Sequence, residues 1–454
     1  MIRDRLVPLA LAALVAGATL PPRPSCAAPT MLADSSRVER WTLANGLRVV
    51  TRHIPRAHDV AITVGYRSGM DDDPPAHQGL SLLLGDLGFT AATADQPART
   101  TTDLDRDLPL GWSDPVMRHL TLFTESLPRE RMREALAHAA TRMRGVKVDA
   151  AGLDAAIKRA KRELGQQYFG DPSVALGFQA REIGSGLTDA QMLQRASGAG
   201  LTSLSPAEVK TAMDQAFVPA NAALSIAGDL HGVDLHAEIE RLFGPIPGGT
   251  ARPDAPERTL TPAERTIRRQ GEPAAVIGLL SPPLSDSTHA TFYMAALLFG
   301  GLGDQTWSAG NTGAHRTVLQ YGLFDEPELV RLYPPVKPRE VDLAMVDKRM
   351  SDLADMMRGA MIPSDSYDEM RSGVTWLMGG PMNPVQRSAV RSYRPTLMTL
   401  SRAQASCELR RGPAFWQRYL RRMMDVRPGQ PEKWGAWFTD QKHQVRVLSL
   451  PSGP

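Results

Sequence analysis

The sequence predicts an α+β protein made of two related units, and three observations carry that reading. The chain has 454 residues, more than one ordinary core uses and suited to two domains of typical size. Strand-like and helix-like stretches alternate along both halves, in a chain that is 42% hydrophobic, 22% charged and 6% aromatic; that composition belongs to globular proteins rather than disordered or fibrous ones. One order of elements occurs twice. "DVAITVGYRSGMDDDPPAHQGLSLLLGDLGF" from Asp59 and "PAAVIGLLSPPLSDSTHATFYMAALLFGG" from Pro273 each run from apolar strand through a polar turn with Asp to an apolar helix. That repeated order points to a duplicated α+β unit.

The elements follow in order. Residues 1–27 read as an export signal: Arg3 and Arg5, an apolar run from Leu6 to Leu20, then Ser25 and Ala27 spaced for cleavage near Ala27. The run is shorter than the roughly 20 residues a membrane-spanning helix needs, and Arg23 and Pro24 before Cys26 match a lipoprotein signal poorly. The expected product is a periplasmic chain with no membrane association after cleavage. Residues 36–248 form the first unit. It opens with two β-branched runs about the Asn45–Gly46 turn, a hairpin at a sheet edge. "RERMREALAHAATRMRGV" and "AAGLDAAIKRAKRELGQQY" carry helical spacing. Ser205, Pro206 and Glu208 mark a capped helix start, followed by the strand "NAALSIAGDL" and the amphipathic "HGVDLHAEIERLFG". Residues 249–272, rich in Pro, Gly and Arg, read as a linker, and 273–454 as the second unit.

Loss of the signal removes Arg3, Arg5, Arg23 and Asp4, taking the formal charge from +3 to +1, which gives no electrostatic case for nucleic acid. It also leaves Cys407 as the only cysteine, so an intramolecular disulfide and a cysteine zinc site are excluded; Cys407 reads as a small buried hydrophobe.

"WTLANGLRVV", "GYRSGMDDDPPAHQGLSLLLGDLGF" and "LTSLSPAEVKTAMDQAFVPANAALSIAGDL" together resemble the insulinase/pitrilysin zinc metallopeptidases, which include the mitochondrial processing peptidase subunits. The resemblance covers most of the mature chain and implies two homologous domains, each a mainly antiparallel sheet packed with helices. The family binds zinc through His-x-x-Glu-His: ligands at i and i+4 share one helix face while the carboxylate between them activates water. On this sequence the two His positions fall on Leu82 and Asp86 and the Glu position on Gly85, within a degenerate helix 79–89. A leucine has no lone pair and a glycine is no base. The family's third ligand falls near Glu163, and Asp86 with Glu163 is short of the three protein ligands zinc sites use. Leu80, Leu83, Leu84 and Leu87 instead form one apolar stripe. His77 precedes the helix and lacks a His partner at helical spacing.

The resemblance implies a substrate-binding Arg and Tyr around Gly322–Leu323. Those positions fall on Val318 and Asp325, with Arg316 and Tyr321 out of register. It further matches Gly300, Gly301, Gly303, Gly310 and Gly313 to the glycine-rich loop of the non-catalytic processing-peptidase subunit, where bare backbone amides suit an extended peptide; a flexible surface loop is the equal alternative. This run follows a helix rather than a strand, against a phosphate loop. "RRGPAFWQRYLRRMM", with Arg410, Arg411, Arg418, Arg421, Arg422, Trp416 and Tyr419, reads as an amphipathic helix with a solvated Arg face ahead of a nucleic-acid or lipid contact. Ser81 lacks the setting of a nucleophile, and His231 and His289 read as ordinary side chains. The expected function is a catalytically inactive homologue, holding neither metal nor cofactor, that pairs with a zinc-bearing homologue (or itself) to enclose unfolded or extended peptides. The alternatives are an active zinc metalloendopeptidase with displaced ligands drawn from His77, Asp86 and Glu163, and a peptide-binding scaffold that does not cleave.

Overall fold

The computed structural model describes residues 37–269, 272–308, 319–336, 342–359, 362–380, 386 and 394–452. Its strands are β1 (Arg37–Thr42), β2 (Arg48–His53), β3 (Asp59–Tyr66), β4 (Trp112–Ser113), β5 (Thr121–Pro128), β6 (Ala222–Gly228), β7 (Ala263–Arg269), β8 (Ala274–Leu280), β9 (Leu319–Gly322), β10 (Glu326–Leu332) and β11 (Gln444–Pro451). The helices of the first half are α1 (Leu80–Thr90), α2 (Thr101–Asp107), α3 (Met132–Arg144), α4 (Ala150–Phe169), α5 (Pro172–Gly184), α6 (Asp189–Ser197), α7 (Pro206–Ala216) and α8 (Leu235–Phe243). Those of the second are α9 (His289–Ser308), α10 (Leu343–Gly359), α11 (Ser364–Thr375), α12 (Arg394–Leu409), α13 (Pro413–Asp425) and α14 (Gly435–Thr439).

Two sheets result, in the orders β1-β2-β6-β3-β5-β4 and β7-β11-β8-β10-β9. The duplication is exact in pairing. β2 lies parallel to β6, and β3, β5 and β4 follow antiparallel; β7 lies parallel to β11, and β8, β10 and β9 follow antiparallel. β1 is the extra strand. Burial follows position: β3 and β6 are buried at every residue, as strands covered on both faces must be, whereas β1 alternates at the edge. The β1–β2 turn is fixed by Gly46 at φ 90° and by the Asn45 amide, which donates to the carbonyls of Phe243 and Ile246 (2.8 and 3.0 Å). Ser205 and Glu208 form the expected capping box at α7.

The segment read as a linker is irregular only to residue 262. Residues 263–269 are β7, the counterpart of β2. Its alternating pattern is that of an edge strand carrying Glu264, Arg265, Arg268 and Arg269, and this charge hid it.

The two halves exchange helices. α5, from the first half, packs on β8 and β11 of the second sheet, and α12, from the second half, packs on β3 and β6 of the first. One mixed core joins Leu176, Ala180 and Ile183 to Val276, Leu329 and Val445; the other joins Ala61 and Ala227 to Leu397, Leu400 and Ala403. Each half therefore covers an apolar sheet face of the other.

Candidate functional site

The degenerate helix α1 is buried almost all round rather than along one stripe. Leu82 is covered together with Leu83, Leu84 and Leu87, and Leu80 and Asp86 are its least buried residues. Two glycines let it sit this close to the sheet: a Cβ on Gly85 would lie 2.5 Å from Val116 Cγ2, and one on Gly88 2.3 Å from the Phe123 ring. Val116 thus fills the space beside Gly85 into which a catalytic glutamate would extend. Asp86 is held by a bidentate pair with Arg159 on α4 (2.6 and 2.5 Å). This pairing, with Asp114 adding to the field, holds the Arg159 guanidinium above its ordinary range. Glu163, one turn along α4, is exposed and accepts a long bond from Gln167 (3.4 Å). His77 ends a short turn before α1, half buried. The donor set does not fit zinc, because its one carboxylate at the motif gives both oxygens to a guanidinium and its neighbours are a leucine and a glycine. Among the described residues no group of three or more His, Cys, Asp or Glu side chains is arranged to hold a metal ion.

The loop leading into α1 has structural work for each of its three acids. Asp73 accepts from the backbone of Gly79 and Ser81 and from Ser81 Oγ (2.7, 2.8 and 2.6 Å), capping the helix; burial nevertheless raises its pKa to about 6. Ser81 Oγ reaches the Gly69 carbonyl (2.7 Å) as well as Asp73, so it ties the cap to the start of the loop. Asp72 accepts from the Gly69 amide (2.9 Å). Asp71 enters a buried charge cluster between the halves that no reading of the sequence foresaw.

That cluster centres on Arg118 and Arg181, both buried. Arg118 donates to Glu182 (2.5 Å) and to Glu326 (2.9 Å); Arg181 pairs with Asp71 (2.9 Å) and Glu328 (3.0 Å). Arg331 pairs with Glu326 (2.7 Å) and Arg258 with Asp71 (3.0 Å). Asp325 accepts the backbone N–H groups of Arg118 and His119 (2.7 and 2.9 Å). The arginines hold Glu326 and Asp71 below the usual carboxylate range against the opposing pull of burial. Burial and the neighbouring Glu326 raise Asp325 to about 6, and burial lowers His119 to about 3. The turns before β5 and before β10, equivalent in the duplication, are thereby fastened to each other.

Asp325, at the implied Tyr position, thus holds backbone of the other half rather than facing a substrate. Tyr321 is spent as well: its hydroxyl bonds His289 (2.8 Å) and the Pro327 carbonyl (3.0 Å). His289 is buried with its other ring nitrogen on Tyr419 (2.7 Å). Val318, Arg316, Gly310 and Gly313 lie outside the described residues. Gly300, Gly301 and Gly303 lie within α9 rather than in a loop, with Gly300 pressed on Leu319, so their amides belong to a helix. Cys407 is a buried free thiol whose pKa burial raises. His231 lies in the turn after β6. No helix among the described residues is long and apolar enough to cross a membrane.

The family model described as the peptidase M16 inactive domain matches residues 203–326, from the approach to α7 to the start of β10. No curated protein matches the sequence. Among solved structures, a protease from Helicobacter pylori superposes with a TM-score of 0.73 at 12% identity, covering 92% of this chain and 100% of that one. A peptidase M16 inactive domain from Pseudomonas fluorescens gives 0.65 at 14%, covering 92% and 98%. The first half of the periplasmic protease PqqL from Escherichia coli gives 0.63 at 16%, covering 91% and 92%, and the chain spans 48% of whole PqqL. At these identities the superpositions establish the fold. The resemblance to the insulinase/pitrilysin (M16) metallopeptidases is upheld by the family model over residues 203–326, the superpositions giving the fold alone, and the chain looks like a member lacking the His-x-x-Glu-His zinc motif.

Proposed function

We propose that this chain is a catalytically inactive peptidase homologue that serves as partner subunit to a zinc-bearing homologue in a periplasmic proteolytic heterodimer, where it helps to enclose substrate peptides. The observation that carries the reading is the repacked motif: Val116 over Gly85 and Arg159 on both oxygens of Asp86. Such a helix keeps its architectural place and has no base and no ligand pair to offer. Two further facts support a partner role. The chain spans 92% of the first half of PqqL and 48% of the whole, so it corresponds to one unit of a two-unit protease. Its halves are fastened by the Arg118–Arg181 cluster, which suits a chamber wall better than a moving enzyme. On this reading zinc belongs to the partner and none to this chain.

The test is metal content and assembly state of the mature chain, alone and co-expressed with a zinc-bearing homologue from the same organism. A 1:1 complex with one zinc per pair, cleaving an unfolded peptide only as the pair, is expected. About one tightly held zinc per isolated chain overturns the proposal, as does failure to form the pair, which moves the reading to a scaffold that binds peptides without cleaving them.

A further inference from the structure

Helix α13 carries the arginine-rich stretch that the candidate site leaves unused. Trp416, Tyr419 and Met423 face the core, as an amphipathic helix requires. Phe415 and Tyr419, and Arg418 and Arg422, are each four residues apart and share a flank. Between that flank and Ser285 lies a recess of about 200 Å³ lined by Ser285, Phe415, Arg418, Tyr419 and Arg422.

Its electrostatics differ from the rest of the stretch. Arg410 pairs with Asp254 (3.2 Å) and Arg411 with Glu257 (2.5 Å). Arg418, exposed, has no carboxylate within ion-pair distance among the described residues. Arg422 rests on the carbonyls of Ser285 and Asp286 (3.2 and 3.3 Å), which fixes its position and leaves further N–H groups over. The Asp286 carboxylate feels Arg422 but bonds the Thr288 amide and hydroxyl (2.7 and 2.8 Å). Two like charges one turn apart repel, and an anion between them removes the repulsion. The floor is rigid, because Tyr419 is buried with its hydroxyl on His289.

We infer that this recess binds a free carboxylate carried by an apolar residue: the C-terminal residue of a peptide, its side chain against Phe415 and Tyr419 and its carboxylate on Arg418 and Arg422. The size is sufficient, since a cavity of about 150 Å³ accepts benzene. Guanidinium groups match the two oxygens of a carboxylate in geometry as well as charge. The inference goes beyond the partner role and needs neither zinc nor a second subunit.

The experiment is fluorescence polarisation of the full mature chain with a labelled tetrapeptide ending in phenylalanine, as free acid and as amide, with inorganic phosphate as competitor. The free acid binds, amidation or Arg418→Gln weakens it by about tenfold or more, as loss of a charge-assisted bond should, and Phe415→Ala weakens both forms. Arg418 is exposed, so its variant keeps the fold, which circular dichroism verifies. Equal binding of acid and amide overturns the inference, as does unchanged affinity in Arg418→Gln. Competition by phosphate at concentrations below those of the peptide overturns it too, by making the recess a general anion site.

Discussion

Placing a side chain at position 85 tests whether α1 has been repacked or has merely lost its chemistry. A Cβ there lies 2.5 Å from Val116 Cγ2, about 1 Å inside the 3.5–4.0 Å at which carbon atoms rest. Valine is short and stiff, so the overlap is relieved only by shifting backbone, and overpacking of this kind costs roughly 1–3 kcal/mol. Against this, glycine to alanine within a helix gains about 1 kcal/mol. Gly85→Ala should therefore destabilise by about 1 kcal/mol, within a range of roughly 0–2. Gly165→Ala on α4, where nothing lies within 4 Å of the added carbon, should stabilise by about 0.5–1 kcal/mol by the same propensity. Gly85→Glu, which restores the family's residue, should lose roughly 3 kcal/mol or more. Val116→Ala opens the space, so the double variant with Gly85→Ala should show a favourable coupling of about 1 kcal/mol in a double-mutant cycle. Urea unfolding followed by circular dichroism reads all of these. If Gly85→Ala and Gly165→Ala stabilise alike and Val116→Ala gives no coupling, the space beside Gly85 is open and the repacking argument fails.

Further expectations concern the join between the halves. Arg118→Ala takes the shared cation from Glu182 and Glu326, leaving the first to Arg195 and the second to Arg331 and Arg181, and should cost roughly 3 kcal/mol, the low end for a broken buried pair; a loss under about 1 kcal/mol in the same urea assay would mean that water reaches the cluster. Replacing Arg118, Arg331, Glu182 and Glu326 together by Met, Met, Leu and Leu, so that Arg331 is not left without its carboxylate, should recover most of that loss, since buried ion networks contribute little net stability against apolar packing. A quadruple variant as weak as Arg118→Ala contradicts this. Asp325, raised to about 6 when folded from about 3.9 unfolded, contributes most below pH 4, and its contribution falls as pH rises from about 4 to 6. Asp325→Asn should gain on the wild type across that window, by roughly 2–3 kcal/mol, while the opposite acid sensitivity of Asp71 and Glu326 cancels in the difference; a pH-independent difference refutes the assignment. Residues 37–248 expressed alone should bind the apolar dye ANS, because α12 no longer covers Ala61 and Ala227, and co-expression with 249–454 should abolish that binding. A monomeric first half that melts cooperatively would rule out the helix exchange as a requirement for folding.

Much of the architecture is legible in the residues, because local rules and the fold agree there. Asn45–Gly46 marks the hairpin, Ser205 and Glu208 the start of α7, and the repeated strand–turn–helix order the duplication. The loss of the zinc motif is also visible, since Leu82, Gly85 and Asp86 stand at its three positions. What replaced it is not visible, because it depends on residues distant in sequence: Arg159 is 73 positions from Asp86, and Asp325 is 207 from the Arg118 amide it accepts. β7 was obscured by its charged edge, and the acids of "MDDDPP" read as a turn although Asp71 and Asp73 are among its most constrained side chains.

The two devices that join the halves have different physical roles. The exchanged helices bury apolar surface, which supplies stability but is tolerant of sliding, since dispersion and the hydrophobic effect are nearly non-directional. The Arg118–Arg181 cluster adds little stability of its own, and its short, angled bonds are satisfied at one relative placement only. Asp325 sharpens this, because it grips two consecutive amides of the opposite turn and retains two accepted bonds even while burial disfavours its charge. On the proposed partner role, a chain whose halves are joined in this way loses less entropy when another subunit closes against it. α1 and its acidic loop, through Asp73 and Asp71, belong to the frame that sets this join.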